Sequence, residues 1–160
     1  MKRTKKTKED EHPVHVLRFG EPVYNAKFYR VCLGDLMPES KSRITEQEAG
    51  LTRDRKKQIG NIGFIDGYLR MQNVPVLKPT GIRGREQRYV FAVVNMGVEP
   101  KYRGKGMSNK LLHECEALAR KLGVDVLVSD TMNRRSRLVY DRDGYYIYND
   151  GKSAVKFLGN

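Results

Sequence analysis

The sequence predicts one domain of the α/β or α+β class, in which helices cover the faces of a β-sheet. The chain has 160 residues, the length of a single domain. Hydrophobic side chains make up 39% of it, enough for one core. The second half alternates apolar, strand-like runs with helical spacing and ends on a hairpin signal, which is the order expected of helices packed on a sheet.

The charge of the chain is strongly positive, at +12, and each half carries +6. Five basic side chains fall within the first eight residues, and no hydrophobic residue follows Met1 before position 12. We interpret residues 1–11 as a disordered basic arm and residues 12–160 as a single domain. Charge spread in this way favours acidic partners in general and identifies none, and a soluble surface that is merely basic explains it equally well.

The first half of the domain gives a weak strand pattern. Val, Tyr and Phe at 15–19 and 23–33 predict two strands around a turn. Residues 39–59 are polar, and we expect one or two short helices there. Residues 61–71 are typical of another strand, although two glycines interrupt it. The stretch 78–88 combines proline, glycines and arginines, and we interpret it as a basic loop.

The second half gives a clearer pattern. The apolar run 89–94 predicts a strand that is covered on both faces, and the glycine in 95–97 permits a bulge. Apolar residues then recur every three or four positions over 107–122, which predicts an amphipathic helix. Gly123 directly afterwards is a suitable stop.

The remaining elements complete this alternation. A short buried strand is predicted over 124–128 and a helix over 133–141. The apolar stretches 145–148 and 153–158 are joined through Asn-Asp-Gly, which predicts a hairpin.

Several classes of protein can be excluded. No apolar run approaches the roughly 20 residues that a membrane span needs, and the charged start does not resemble a secretory signal. Cys32 and Cys115 are too few for a disulfide framework, and they lack the neighbouring ligands that would suggest a metal site. We therefore expect reduced thiols, no metal site and a cytoplasmic protein.

The most informative segment lies between the apolar strand and the long helix. Residues 98–108 read VEPKYRGKGMS. The glycines allow a turn that exposes backbone N–H groups, and the helix start adds its own unpaired donors and positive dipole end. Nearby charge comes from Arg103, Lys105 and Lys110. The pattern predicts a cradle for phosphate or pyrophosphate, although an ordinary connecting loop can share it. It fits neither the P-loop nor the dinucleotide fingerprint.

This segment resembles the acetyl-CoA loop of the GNAT family of N-acetyltransferases. That family's pattern is Arg/Gln-x-x-Gly-x-Gly/Ala, preceded by an apolar residue, any residue and Pro. The positions in register are Val98, Pro100, Arg103, Gly104 and Gly106. The departure is Ser108, where the family usually has Gly or Ala.

A second family signature follows downstream. The string Asn133-x-x-Ser136-x-x-x-Tyr140-x-x-x-Gly144-Tyr145 is similar to the family's Asn-x-x-Ala…Leu-Tyr-x-x-x-Gly-Phe. The resemblance covers about residues 89–158. It implies a mixed, mostly antiparallel central sheet with helices on both faces, and a strand ending at 96–98 that parts from the strand at 124–128.

The resemblance also implies an activity and a role for each matched position. Acetyl-CoA would be the co-substrate, and its acetyl group would pass to a primary amine by direct attack. Backbone groups of Met96 and Val98 would pair with the pantetheine arm, and an N–H near Gly97 could polarise the thioester carbonyl. The pyrophosphate would lie against Arg103, Gly104, Lys105, Gly106, Met107 and Ser108, with Asn133 and Ser136 bordering the cofactor.

The acid–base chemistry has open alternatives. By the resemblance, Tyr140 would be the general acid for the departing thiolate, and its position four residues before Gly144 favours this role. The alternative is a core aromatic residue on an amphipathic helix. No carboxylate occurs on the strand 89–98 to serve as general base. Asp130, just past the following strand, is the nearest candidate for the base, with a solvated or helix-capping role as the alternative. An amine could also lose its proton through a chain of water molecules.

The acceptor is not identified by the sequence. Two arginine clusters, together with the basic arm, favour an acceptor attached to RNA or to a ribosomal surface. The alternative function is a non-catalytic protein that binds nucleic acid or a ribonucleoprotein on the same fold. Dimers are common in the family, so a homodimer is compatible with the resemblance. The clusters consist of Arg83, Arg85 and Arg88 and of Arg134, Arg135 and Arg137.

Overall fold

The computed structural model of the chain describes residues 12–19, 27–44, 58–78, 81–130 and 132–159. The proposed basic arm, the first predicted turn and most of the segment predicted to form short helices lie outside these residues. The elements in chain order are β1 (Val14–Phe19), β2 (Phe28–Leu33), β3 (Leu36–Pro38), β4 (Gln58–Gly60), β5 (Gly63–Lys78), β6 (Gly81–Val98), α1 (Met107–Lys121), β7 (Val126–Ser129), α2 (Arg134–Arg142), β8 (Tyr146–Tyr148) and β9 (Ser153–Phe157). Two short 3-10 helices are found at Glu39–Lys41 and Pro100–Tyr102.

Seven strands form the central sheet in the order β1-β2-β5-β6-β7-β9-β8. Neighbouring strands are antiparallel apart from β6 and β7, which are parallel. The expected mixed, mostly antiparallel sheet is therefore confirmed. A second, two-stranded sheet of β3 and β4, which the sequence did not predict, forms where Leu36 pairs with Gly60.

The interpretation of residues 78–88 as a basic loop was wrong. The chain from Gly81 onward is already part of β6, and Lys78 of β5 pairs with Gly81. Glycine and proline signal a turn locally, but pairing along two long strands outweighs that preference. The hairpin also contributes to the core, because Val74 lies in a buried cluster with Val126 and Val155.

A bulge interrupts the pairing of β5 with β6. Val93 pairs with Gly67 and Asn95 pairs with Asp66, so Val94 is an extra residue on β6, just ahead of the expected 95–97. On the neighbouring strand, Arg30 donates two hydrogen bonds of 2.7 and 2.9 Å to the Asp66 carboxylate, and both side chains are fully buried. This ion pair therefore holds β2 to β5 beside the bulge.

Both helices pack on the same face of the sheet. The buried cluster on that face joins Leu112 of α1 and Tyr140 of α2 to Phe91 and Leu127 of the strands. The cluster on the opposite face contains no helical residue within the described part of the chain. Helices on both faces were expected, and the described residues show them on one. Among the described residues, no helix is both long enough and apolar enough to cross a membrane.

The predicted elements of the second half are found at nearly the expected positions. The helix predicted over 107–122 is α1, and Gly123 follows it with a φ of 77°. The helix predicted over 133–141 is α2, with Asn133 as its N-cap. The predicted terminal hairpin is formed by β8 and β9. Local sequence patterns were sufficient here because each element is short and bounded by its own cap or turn.

Candidate functional site

A cavity of about 630 Å³ opens beside the parallel strands β6 and β7. Val93 and Ser129 form the last pair between these strands, and β6 continues beyond it without that neighbour. One wall of the cavity is the end of β6, at Met96, Gly97 and Val98. The loop after β6 and the start of α1 form a second wall, and the flank of α2 closes the third side. The cavity therefore lies where the sheet splits.

Ten of the eleven predicted cofactor-binding residues line this one cavity. They are Met96, Gly97, Val98, Arg103, Gly104, Gly106, Met107, Ser108, Asn133 and Ser136. Lys105 is not among the lining residues; its ammonium lies 5.8 Å from the centre of the Tyr102 ring. The geometry thus gathers two motifs that are about 30 residues apart in the sequence.

Six further residues line the cavity that were not among the predicted cofactor-binding residues. They are Tyr102, Asn109, Arg135, Leu138, Val139 and Arg142. The spacing 135, 138, 139, 142 is that of one helix face, so the signal was present in the sequence. Leu138 is 59% exposed, which is consistent with a wall facing open space instead of the core.

The start of α1 faces the cavity with its backbone uncovered. Gly106 is the N-cap residue, with a φ of 77°, and no side chain caps the helix. Gly104 has a similar φ of 76°, and a Cβ atom at either glycine would meet nothing within 4 Å. Left-handed backbone conformations of this kind favour glycine. The first-turn N–H groups and the positive end of the helix dipole are therefore available to an anion.

Arg103 joins this loop to the end of β6. Its Nε donates a hydrogen bond of 3.0 Å to the Val98 carbonyl oxygen. The Val98 carbonyl, one of the backbone groups expected to pair with pantetheine, thus has a protein partner. Arg103 is a cavity residue that also fixes the shape of its wall.

The start of α2, unlike that of α1, is capped by side chains. The Asn133 side chain accepts a hydrogen bond of 2.8 Å from the Ser136 backbone N–H, and Ser136 Oγ accepts one of 2.9 Å from the Asn133 N–H. This capping box accounts for both polar residues of the second signature. Asn109 of α1 donates a hydrogen bond of 3.1 Å to the Val139 carbonyl and so holds the helices together beside the cavity.

Tyr140 lies inside the core and is not among the residues that line the cavity. Its side chain is 2% exposed, and its ring packs edge-on against Tyr145 with 5.1 Å between the ring centres. Burial raises the pKa of Tyr140 above its usual value, while a hydrogen bond with the Ser129 side chain acts in the opposite direction. The hydroxyl is therefore protonated at neutral pH.

Asp130 lies just past the end of β7 and takes part in a polar network. Its Oδ2 accepts hydrogen bonds of 2.6 Å from Arg70 and 2.9 Å from Gln72. Arg70 also donates to the Tyr68 hydroxyl. Asp130 is not a cavity-lining residue. These contacts show an anchoring role for its carboxylate.

The described members of the two arginine clusters have different surroundings. Arg88 lies 3.4 Å from the Asp125 carboxylate, with its guanidinium above the Phe157 ring. The Arg137 guanidinium packs closely against Gly151. Arg135 lines the cavity. The side chain of Arg83 lies outside the described residues.

Known proteins share both the sequence pattern and the fold. A profile of the acetyltransferase (GNAT) family matches residues 38–145. No curated protein matches the chain. A mutant of the AtaT toxin superposes with a TM-score of 0.51 at 10% identity, over 83% of this chain and 67% of that one. The KacTA–DNA complex gives a TM-score of 0.50 at 9% identity, over 82% and 68%.

A putative acetyltransferase from Agrobacterium tumefaciens is 25% identical over 56% of this chain and 75% of its own, with a TM-score of 0.38. Identities near 10% show a shared fold and nothing about substrate. The family profile is stronger evidence for family membership than these superpositions, because it spans both motifs that form the cavity and about two thirds of the sequence. The chain therefore belongs to the GNAT family of acetyltransferases.

Proposed function

We propose that this protein transfers an acetyl group from acetyl-CoA to a primary amine. The observation that carries the proposal is the cavity at the split between β6 and β7, which gathers both sequence motifs around the uncapped start of α1. Its volume of about 630 Å³ falls within the range of ligand pockets.

The residues present fit the phosphates of acetyl-CoA. The first-turn N–H groups of α1 have no side-chain cap, and both glycines of the loop leave open space where a Cβ atom would project. Arg135 and Arg142 add positive charge from the α2 wall. A pyrophosphate on the α1 start would receive N–H donors and a favourable dipole together.

The pantetheine arm fits along the end of β6. Met96 pairs with Ile65 of β5 on one side, while the opposite edge has lost its β7 neighbour after Val93. An unpaired strand edge offers backbone N–H and carbonyl groups to an extended ligand. The bulge at Val94 lies at this point, so a backbone N–H near it could polarise the thioester carbonyl.

The transfer itself requires two proton movements. The amine nitrogen attacks the thioester carbon, the carbon–sulfur bond breaks, and the thiolate takes a proton. We assign that proton to the Tyr140 hydroxyl. It lies behind the residues that line the cavity, so it must move toward the sulfur and exchange its Ser129 partner for it. The attacking amine loses its own proton to water, since no carboxylate is among the described residues that line the cavity.

The direct experiment is to incubate the protein with acetyl-CoA and a panel of amines and to follow the release of the CoA thiol. Protein thiols will not contribute to the signal, because Cys32 and Cys115 are fully buried and burial raises the pKa of Cys32 to about 12. Thiol release that depends on the amine supports the proposal. A protein that acetyl-CoA stabilises against heat but that releases no thiol with any amine would be a cofactor-binding protein without the transferase reaction.

A second proposal concerns the acceptor, which we infer to be an amine carried by RNA. Two members of the arginine clusters, Arg85 and Arg134, are exposed in the structure and support it. Binding through phosphates weakens steeply as salt rises, because each contact releases counterions. We expect RNA affinity to fall with salt, and the slope to decrease when both arginines are changed to alanine.

The matched control for this measurement is Lys121→Ala, an exposed cation at the far end of α1. Equal salt slopes in the double variant and in the control would show that Arg85 and Arg134 do not take part in RNA binding. RNA binding that persists without any thiol release would instead favour the non-catalytic nucleic-acid-binding protein.

A further inference from the structure

We propose that His113, Glu116 and Asp143 form a binding site for a divalent transition-metal ion, outside the cavity. The imidazole and the two carboxylates each bring a ligand atom within 4.8 Å of the others. Independently, Asp143 Oδ2 is buried and has no hydrogen-bond partner among the described residues. The proposal rests on these two observations and not on the acetyltransferase activity.

The three side chains come from the two helices. His113 and Glu116 lie one turn apart on α1, and Asp143 directly follows α2. The distance from His113 Nε2 to Asp143 Oδ1 is 2.9 Å. The Asp143 side chain is only 9% exposed, so water cannot easily satisfy its second oxygen. That oxygen needs a cation or a donor that the described residues do not supply.

Glu116 is already oriented for ligation. The Tyr145 hydroxyl donates a hydrogen bond of 3.2 Å to its Oε1, and Lys156 Nζ lies 3.3 Å from both of its oxygens. An outer partner such as the Tyr145 hydroxyl holds a metal-binding carboxylate in place, whereas the Lys156 ammonium occupies the oxygens that an ion would bind. With a neutral imidazole, one ammonium faces two carboxylates, and the negative end of the α2 dipole adds to the excess. A divalent cation would offset this charge.

The donor set selects the class of ion. One imidazole nitrogen and two carboxylate oxygens suit Zn²⁺ and its neighbours, whereas Ca²⁺ and Mg²⁺ prefer oxygen ligands alone. Bonds of about 2.1 Å in tetrahedral geometry place ligand atoms about 3.4 Å apart. Spacings of up to 4.8 Å must therefore close by up to about 1.4 Å, whereas the 2.9 Å between His113 and Asp143 must open slightly. The His113 side chain is 61% exposed, so it can move and also leaves a route for the ion.

The ion would connect α1 to the end of α2. Other residues of these same helices line the cavity. Binding at a saturating concentration should therefore stabilise the pair of helices against thermal unfolding. For a domain of this size, ligand at about 100 times its dissociation constant raises the melting temperature by roughly 5–10 °C.

The test is a calorimetric titration of the untagged, chelator-stripped protein with Zn²⁺. We expect one equivalent to bind, and the affinity to fall at least about tenfold in His113→Gln and in Asp143→Asn. His15→Gln, on β1, is the matched control and should bind like the wild type. Co²⁺ should give visible absorption bands of a ligated ion in the wild type, and His113→Gln should lose them.

A variant at Lys156 adds a prediction of opposite sign. Lys156→Met removes the ammonium that competes with the ion for Glu116, so Zn²⁺ should bind more tightly. Absence of Zn²⁺ binding below about 100 µM, a concentration well above typical Kd values of specific zinc sites, would overturn the proposal. Equal affinities in wild type and His113→Gln would also overturn it, because the ion would then bind elsewhere.

Discussion

The starts of the two helices beside the cavity differ in how their backbone is satisfied. α1 begins after Gly106 with no side-chain cap. α2 begins with a complete capping box between Asn133 and Ser136. Both starts border the same cavity, yet only the first leaves its N–H groups unsatisfied by a side chain.

This difference separates two roles that the sequence motifs alone do not distinguish. An uncapped start is less stable by itself but can receive an anion, whereas a capped start is stable and serves as a wall. The glycines of the first motif thus suit ligand binding. The asparagine and serine of the second motif suit the stability of α2, which carries Tyr140 on its buried side. Three variants with matched controls test this division.

The largest effect is expected from Tyr140→Phe. If the buried Tyr140 hydroxyl is the general acid, its removal should lower turnover by about 10²–10⁴-fold while acetyl-CoA affinity stays nearly unchanged. Tyr145→Phe is the control, because it removes a buried hydroxyl that bonds to Glu116 instead. Steady-state kinetics of the two variants decide the matter. Equal turnover in both would make Tyr140 a packing residue.

An intermediate effect is expected from Gly106→Ala. The added Cβ would lie in open space at the α1 start, where Gly106 lines the cavity, and acetyl-CoA affinity should fall at least about tenfold, or 1.4 kcal/mol. The control is Gly123→Ala at the other end of α1, where φ is also 77° and the space is equally open.

Both glycine variants should lose about 1–2 kcal/mol of folding stability, because alanine is strained in the left-handed region. Thermal unfolding measures this shared loss of stability, and calorimetric titration measures how the acetyl-CoA affinities of the two variants differ. Similar affinity losses in the two variants would trace the effect to helix stability and not to the cavity.

The smallest effect is expected from Asn133→Ala. Loss of the capping box should lower the free energy of unfolding by about 1 kcal/mol, because a first-turn N–H loses its partner. Arg134→Ala, one residue further on and without a capping role, should leave stability within about 0.5 kcal/mol of the wild type. Denaturant titrations compare the two. An affinity loss in Asn133→Ala larger than that of Gly106→Ala would contradict the assignment of Asn133 to the wall.

The sequence by itself determined the elements of the second half and most of the residues that line the cavity. Helix α1, its stop at Gly123 and the terminal hairpin follow from spacing, caps and turn residues that act within a few positions. The two motifs and the strand end before the loop, compared with the family pattern, predicted ten of the residues that line the cavity. Interactions between residues close in the chain can therefore be predicted from the sequence alone.

Only the tertiary structure decided the features that depend on distant partners. Residues 81–88 belong to a strand because β5 pairs with them, although their own composition favours a loop. The buried pair of Arg30 and Asp66 joins positions 36 residues apart, and His113 meets Asp143 across 30. The burial of Tyr140 against Ser129 likewise depends on how α2 packs on the sheet. Such contacts leave no periodic signal in the sequence, because the free energy that selects them comes from pairing and burial in the assembled fold.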